Sequence, residues 1–169
     1  MHYIKLRAGA LRAIMEAVDG WRDIANGMRD EQAQALPKLA EEKQFAKLAE
    51  AAGEVAQLSK ELDIATELFN QCSGILNNEG RLARGAELDL EYSRDELFLI
   101  DKALDSYVDM TADHTCEYIP HIPSLDRHEV TYSRVEAAQM RAKHAALLDN
   151  VVEGARALGQ IQQLLKDVR

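Results

Sequence analysis

Residues 48–76 read LAEAAGEVAQLSKELDIATELFNQCSGIL, and the apolar positions in this stretch recur every seven residues. Leu48, Val55, Leu62, Phe69 and Leu76 make one row, and Ala51, Leu58, Ala65 and Cys72 make its companion. On a helix of about 3.6 residues per turn the two rows lie side by side, so the stretch is a long amphipathic helix with one face to bury. Upstream, Pro37 suits a first helical turn, where a missing N–H has no partner to lose. Glu41 and Glu42 would then sit near the positive end of the helix dipole. Downstream, Asn77-Asn78-Glu79-Gly80 reads as a stop, with Gly80 free to take the left-handed conformation.

The same pattern recurs on both sides of this helix. From about Tyr3 to Arg29, Ile4, Leu11, Val18 and Ala25 form a seven-residue row, with Ile14, Trp21 and Met28 beside it. Gly27 and the polar run Arg29-Asp30-Glu31-Gln32 weaken the pattern and predict its end. Ser93-Arg94-Asp95-Glu96 matches a capping box ahead of a third helix carrying Leu97, Ile100, Leu104 and Val108. From Asp126 or Ser133 to Val168, Ala137, His144, Val151, Leu158 and Leu165 repeat every seven, with Met140, Leu147, Gly154, Ile161 and Val168 as the second row. Residues 81–92 are ambiguous. Leu88, Leu90 and Tyr92 alternate with Asp89 and Glu91 as a strand would, but a lone strand has no partner, which favours helix or irregular chain. Pro120 and Pro123 leave residues 111–125 as the one real loop.

Four amphipathic segments with short links predict an all-α fold, an antiparallel, up-down four-helix bundle forming a single domain over residues 1–169. Segments two and four read as longer than one and three, so their apolar seams would overhang. An overhanging coiled-coil-like seam needs cover, which points to a homodimer.

Composition agrees and narrows the function. Apolar residues make up 47% of the chain and charged residues 29%, the profile of a folded helical protein. The net charge of −9 repels phosphate and argues against nucleic-acid binding. No apolar run is long enough to cross a membrane. Two cysteines make no disulfide framework, and the start of the chain lacks a secretory apolar stretch, so the expected setting is the reducing cytoplasm.

Three features could carry chemistry. His114, Cys116 and His121, with His128 shortly beyond, are zinc-ligand types, but their spacing fits no standard zinc pairing. The bland reading is a loop whose Tyr118, Ile119 and Ile122 pin it to the bundle end and offer a binding surface. Glu50 and Glu54, four apart, share a helix face, and Asp101, Asp105 and Asp109 make a ridge on segment three; facing ridges could hold Mg²⁺. Here Gln44-Phe45-Ala46-Lys47-Leu48-Ala49-Glu50-Ala51-Ala52-Gly53-Glu54-Val55-Ala56 resembles the first metal-binding helix of the all-α nucleoside triphosphate pyrophosphatases of the MazG type. The resemblance implies a four-helix core hydrolysing nucleotides with Mg²⁺. It departs from that family's pattern of two glutamates three apart, because Ala51 stands at the first and only Glu54 is in register, with Glu50 next to the gap. Segment three also holds no Glu-x-x-Asp. The third feature is charge. Residues 86–109 hold eight acids against Arg94 and Lys102, and Glu87, Asp89, Glu91 and Asp95 lead the run. A solvated face is the ordinary meaning of such a run; a docking surface for a basic protein is the functional one.

No nucleophile elbow, glycine-rich phosphate loop or complete metal set is present, and Cys72 on an apolar row would be inert. The sequence therefore reads as a non-enzymatic interaction module without a cofactor, working through its helical faces and the 111–125 loop. The alternative is a pyrophosphatase-like enzyme with a degenerate Mg²⁺ site.

Overall fold

A computed structural model describes residues 1–78, 82–118 and 134–168. Among these residues the chain is mostly helical, with four helices and one small two-stranded sheet. The order is β1 (His2–Arg7), α1 (Ala8–Glu41), α2 (Phe45–Asn78), β2 (Glu87–Tyr92), α3 (Arg94–Tyr118) and α4 (Arg134–Val168).

The sheet corrects the expectation for both of its strands. β1 pairs antiparallel with β2, His2 opposite Tyr92 and Arg7 opposite Glu87. Residues 2–7 are therefore not the first turns of a helix, and the alternation at 88–92 is a strand that finds its partner at the other end of the hairpin between them. A two-stranded ribbon is marginal alone. Here its inner face is apolar, with Leu6, Leu88, Leu90 and Tyr92 buried against the helices.

The ribbon also starts α1. Arg7 at the N-cap provides no side-chain hydrogen bond, so the first amides need other acceptors. Ala8 N donates to Ala86 O at 2.8 Å and Gly9 N to Arg84 O at 3.0 Å, both from the chain entering β2. Arg12 adds a bond from its guanidinium to Leu82 O at 3.1 Å. Gly9 suits this crowded point: a Cβ there would lie 3.1 Å from Glu153 Cγ, which would have to give by a few tenths of an ångström, and 3.4 Å from Arg84 O.

α1 then runs straight through Gly27, the polar run and Pro37, all read as marking its end or the start of the next helix. Ala33, Leu36 and Leu39 stay half-buried along this stretch, and that packing offsets the hydrogen bond Pro37 cannot donate. Glu41 and Glu42 consequently sit at a helix C-terminus, where the dipole disfavours them; Lys38, 3.9 Å from Glu42, compensates. The turn is Glu42-Lys43-Gln44. Lys43 takes the left-handed conformation (φ 56), Gln44 N donates to Leu39 O at 2.9 Å and Lys43 N to Ala40 O at 3.1 Å. This is a Schellman closure with lysine where glycine is usual.

The capping box forms as read: Ser93 N donates to a Glu96 carboxylate oxygen, and Glu96 N to Ser93 Oγ. α3 extends through residues 111–118, so half of the expected loop is helical; residues 119–133 lie outside the described residues. Segment one is not shorter than segment two: α1 and α2 each have 34 residues, α4 has 35 and α3 has 25.

The core gathers at one end. Leu11, Ile14 and Val18 of α1 meet Leu62, Leu68 and Cys72 of α2, Leu97, Ile100 and Leu104 of α3, and Ala157, Ile161 and Leu165 of α4 over the ribbon. Beyond Ala25 the seam of α1 is only half-buried. Between residues 26 and 57 of the α1–α2 hairpin only Ala51 is buried. The distal hairpin is thus a two-helix arm with a thin seam.

Candidate functional site

The acidic run lies on the outer face of the ribbon and continues into the first turn of α3. β1 sets Tyr3, Lys5 and Arg7 opposite Glu91, Asp89 and Glu87. Lys5 Nζ lies 3.7 Å from Glu87 and 3.8 Å from Asp89, and both carboxylates remain exposed. The Glu91 carboxylate beside Tyr3 holds its phenol above the ordinary range. Asp95 pairs with Lys60 of α2 at 2.8 Å; the ammonium holds the Asp95 carboxyl below its usual range, and the carboxylate raises Lys60. Each of the four named acids therefore has a partner within the protein. Exposed pairs of this kind contribute little to stability, but they reduce the net field available to a basic partner.

The other predicted residues are spread apart. Tyr118 is the last residue of α3, and His114 and Cys116 fall within that helix instead of a loop. Ile119, Ile122, His121 and His128 lie outside the described residues. Glu50 and Glu54 are exposed on the distal half of α2, Asp105 is exposed on α3, and Asp101 is half-buried. The cleft between α2 and α3 does not bring them together. Its walls include Lys60, Glu61, Ile64, Asp95, Phe98 and Lys102, without Glu50, Glu54, Asp101 or Asp105. The carboxylates in the cleft already face ammonium groups, since Lys102 pairs with Glu61 at 3.0 Å as Lys60 does with Asp95. Among the described residues, no group of three or more His, Cys, Asp or Glu is placed to hold a metal ion.

Cys72 is buried, and burial pushes its thiol up to about 12. The Tyr92 hydroxyl faces it in a contact too loose to count as a formed hydrogen bond. A thiol this far from ionising is not a nucleophile. His144, read on the inner row of α4, is half-buried, with Nε2 enclosed and no partner among the described residues.

One concavity was not legible in the sequence. Where α3 crosses α1, a groove of about 310 Å³ opens between them. Its walls are Ala17, Trp21, Ile24, Ala103 and Met110, and Glu16 and Tyr107 also line it. Trp21 is only 8% exposed, while Ile24 and Met110 are 38% and 53% exposed. Lys102 Nζ stands 4.2 Å from the Trp21 ring centroid, a cation–π contact from the α3 side. Tyr107 OH donates to Glu16 Oε2 at 2.6 Å, and Asn150 Nδ2 of α4 reaches the same oxygen at 3.3 Å. Burial, followed by the Glu16 carboxylate, raises the Tyr107 phenol, so it stays a donor. In the sequence Trp21 is one more position beside the seven-residue row of α1; the groove depends on how two helices cross.

Comparison with known proteins adds no assignment: no protein-family model, no curated protein and no solved structure matches this chain.

Proposed function

We propose that the protein is a non-enzymatic interaction module of the cytoplasm, in which the packed core holds the α1–α2 arm out as a docking helix pair. In this reading the helices act as an up-down bundle closed at one end by the ribbon, and the first partner of the arm is a second copy of the chain. One observation supports it above the rest. Phe45, Ala49, Ala52 and Ala56 share one side of α2 at coiled-coil spacing, and all are exposed, Phe45 at 67%. This row is separate from the one through Leu48, Ala51 and Val55 that lies half-buried or buried along the seam. A helix with two apolar rows has a second helix to bury, and small residues let backbones approach closely.

The test is to insert charge into the outer row. Ala49→Glu with Ala52→Glu leaves the core untouched, and glutamate is a good helix former. Sedimentation equilibrium should show a dimer for the native chain and a monomer for the variant, with equal helix content by circular dichroism. A native chain that sediments as a monomer at every concentration contradicts self-association, and a variant that still dimerises removes the arm from the interface.

A further inference from the structure

We infer that the groove between α1 and α3 is a binding site for a small organic cation, an apolar body with an ammonium at one end. The walls are Trp21, Ile24, Ala103 and Met110, and the residues lining the groove include one carboxylate, Glu16, and no cation. Its volume of about 310 Å³ falls at the small end of ligand pockets. A neutral apolar ligand would leave the carboxylate unused, and an anion would meet it directly. An ammonium instead gains a charge-assisted hydrogen bond beside low-dielectric walls. Glu16 is already oriented for this. Tyr107 OH and Asn150 Nδ2 both converge on Oε2, so the carboxylate is held at the groove by two donors from two other helices. These donors fix its position without cancelling its charge.

The experiment uses the chain's one tryptophan, Trp21, as its own reporter, because it forms a groove wall. The full-length protein is titrated with 2-phenylethylamine, 2-phenylethanol and 3-phenylpropionate while Trp21 emission is followed. The amine should give a saturable change, with affinity about tenfold or more above the alcohol, the size expected of one hydrogen bond between charged groups. Glu16→Gln keeps an acceptor for Tyr107 and Asn150 but removes the charge; it should bring the amine down to the alcohol's affinity and leave the alcohol unchanged. The propionate, repelled by Glu16, should give no response, and Gly20→Leu, which fills the groove from a helical position where a Cβ meets nothing within 4 Å, should abolish the amine and alcohol responses without unfolding the chain. Equal affinities for amine and alcohol, an amine preference that survives Glu16→Gln, binding that survives Gly20→Leu, or no saturable change would each overturn the assignment.

Discussion

Replacing Lys43 with glycine should stabilise the protein. Lys43 closes the α1–α2 turn in the left-handed conformation at φ 56, the one non-glycine residue with positive φ among those described. A side chain there brings Cβ against the neighbouring carbonyl, at a cost of about 1–2 kcal/mol that glycine does not carry. Glycine also loses more backbone freedom on folding, which returns roughly 0.5–1 kcal/mol of that gain. The net expectation is a stabilisation of about 0.5–1 kcal/mol, because the closing bonds from Gln44 N and Lys43 N to Leu39 O and Ala40 O need no side chain. For a domain of this size that is a rise of about 1–4 °C in Tm. Urea melts followed by circular dichroism at 222 nm are the assay, with Lys43→Ala as the control that keeps Cβ and gains nothing from strain relief. Equal stabilisation by alanine and glycine would show that strain is not the cause, and a loss with glycine would refute the turn geometry.

The remaining predictions concern packing, the thiol and the pH response. Gly154→Leu should destabilise by about 1–3 kcal/mol, since its Cβ would already stand 3.2 Å from Val108 Cγ2 and 3.7 Å from the Tyr107 ring; urea melts that match the native chain would place α4 differently. Cys72 should resist an aromatic disulfide reagent at pH 8 in the folded protein and react at once in urea, because its thiol is buried and pushed up to about 12; rapid native-state labelling would contradict that burial. The Lys60–Asp95 pair lowers the folded Asp95 carboxyl, so its contribution is present above the unfolded value and is lost as pH falls through the folded one. Lys60→Met should remove that acid-side component alone, read as a change in the slope of stability against pH below about 4. An unchanged slope would show that the pair does not form in solution.

How much was legible in the sequence depended on how far apart the cooperating residues are. The rows through Leu48–Leu76 and the box at Ser93–Glu96 are local, and both appear as read. The ribbon was missed because Ile4 also falls on the seven-residue row of Leu11 and Val18, while the strand that pairs with it begins some 80 residues later. Pro37 obeys a local preference for helix starts, yet seam burial along α1 overrode it. The acidic run was visible, whereas its neutralisation was not, because Lys5 and Lys60 come from other elements. The α1–α3 groove had no linear signal at all, since Glu16, Trp21 and Tyr107 meet only through a helix crossing.

Hydrogen exchange of the native chain over a range of protein concentration decides whether the arm depends on a second copy, because a segment that a partner covers opens less often as the partner's concentration rises. Amides of residues 8–25 should stay protected at every concentration, while those of residues 45–57 should gain protection as concentration rises and lose it on dilution. Equal, concentration-independent protection of the arm and the core would contradict that dependence, since the arm would then need no partner.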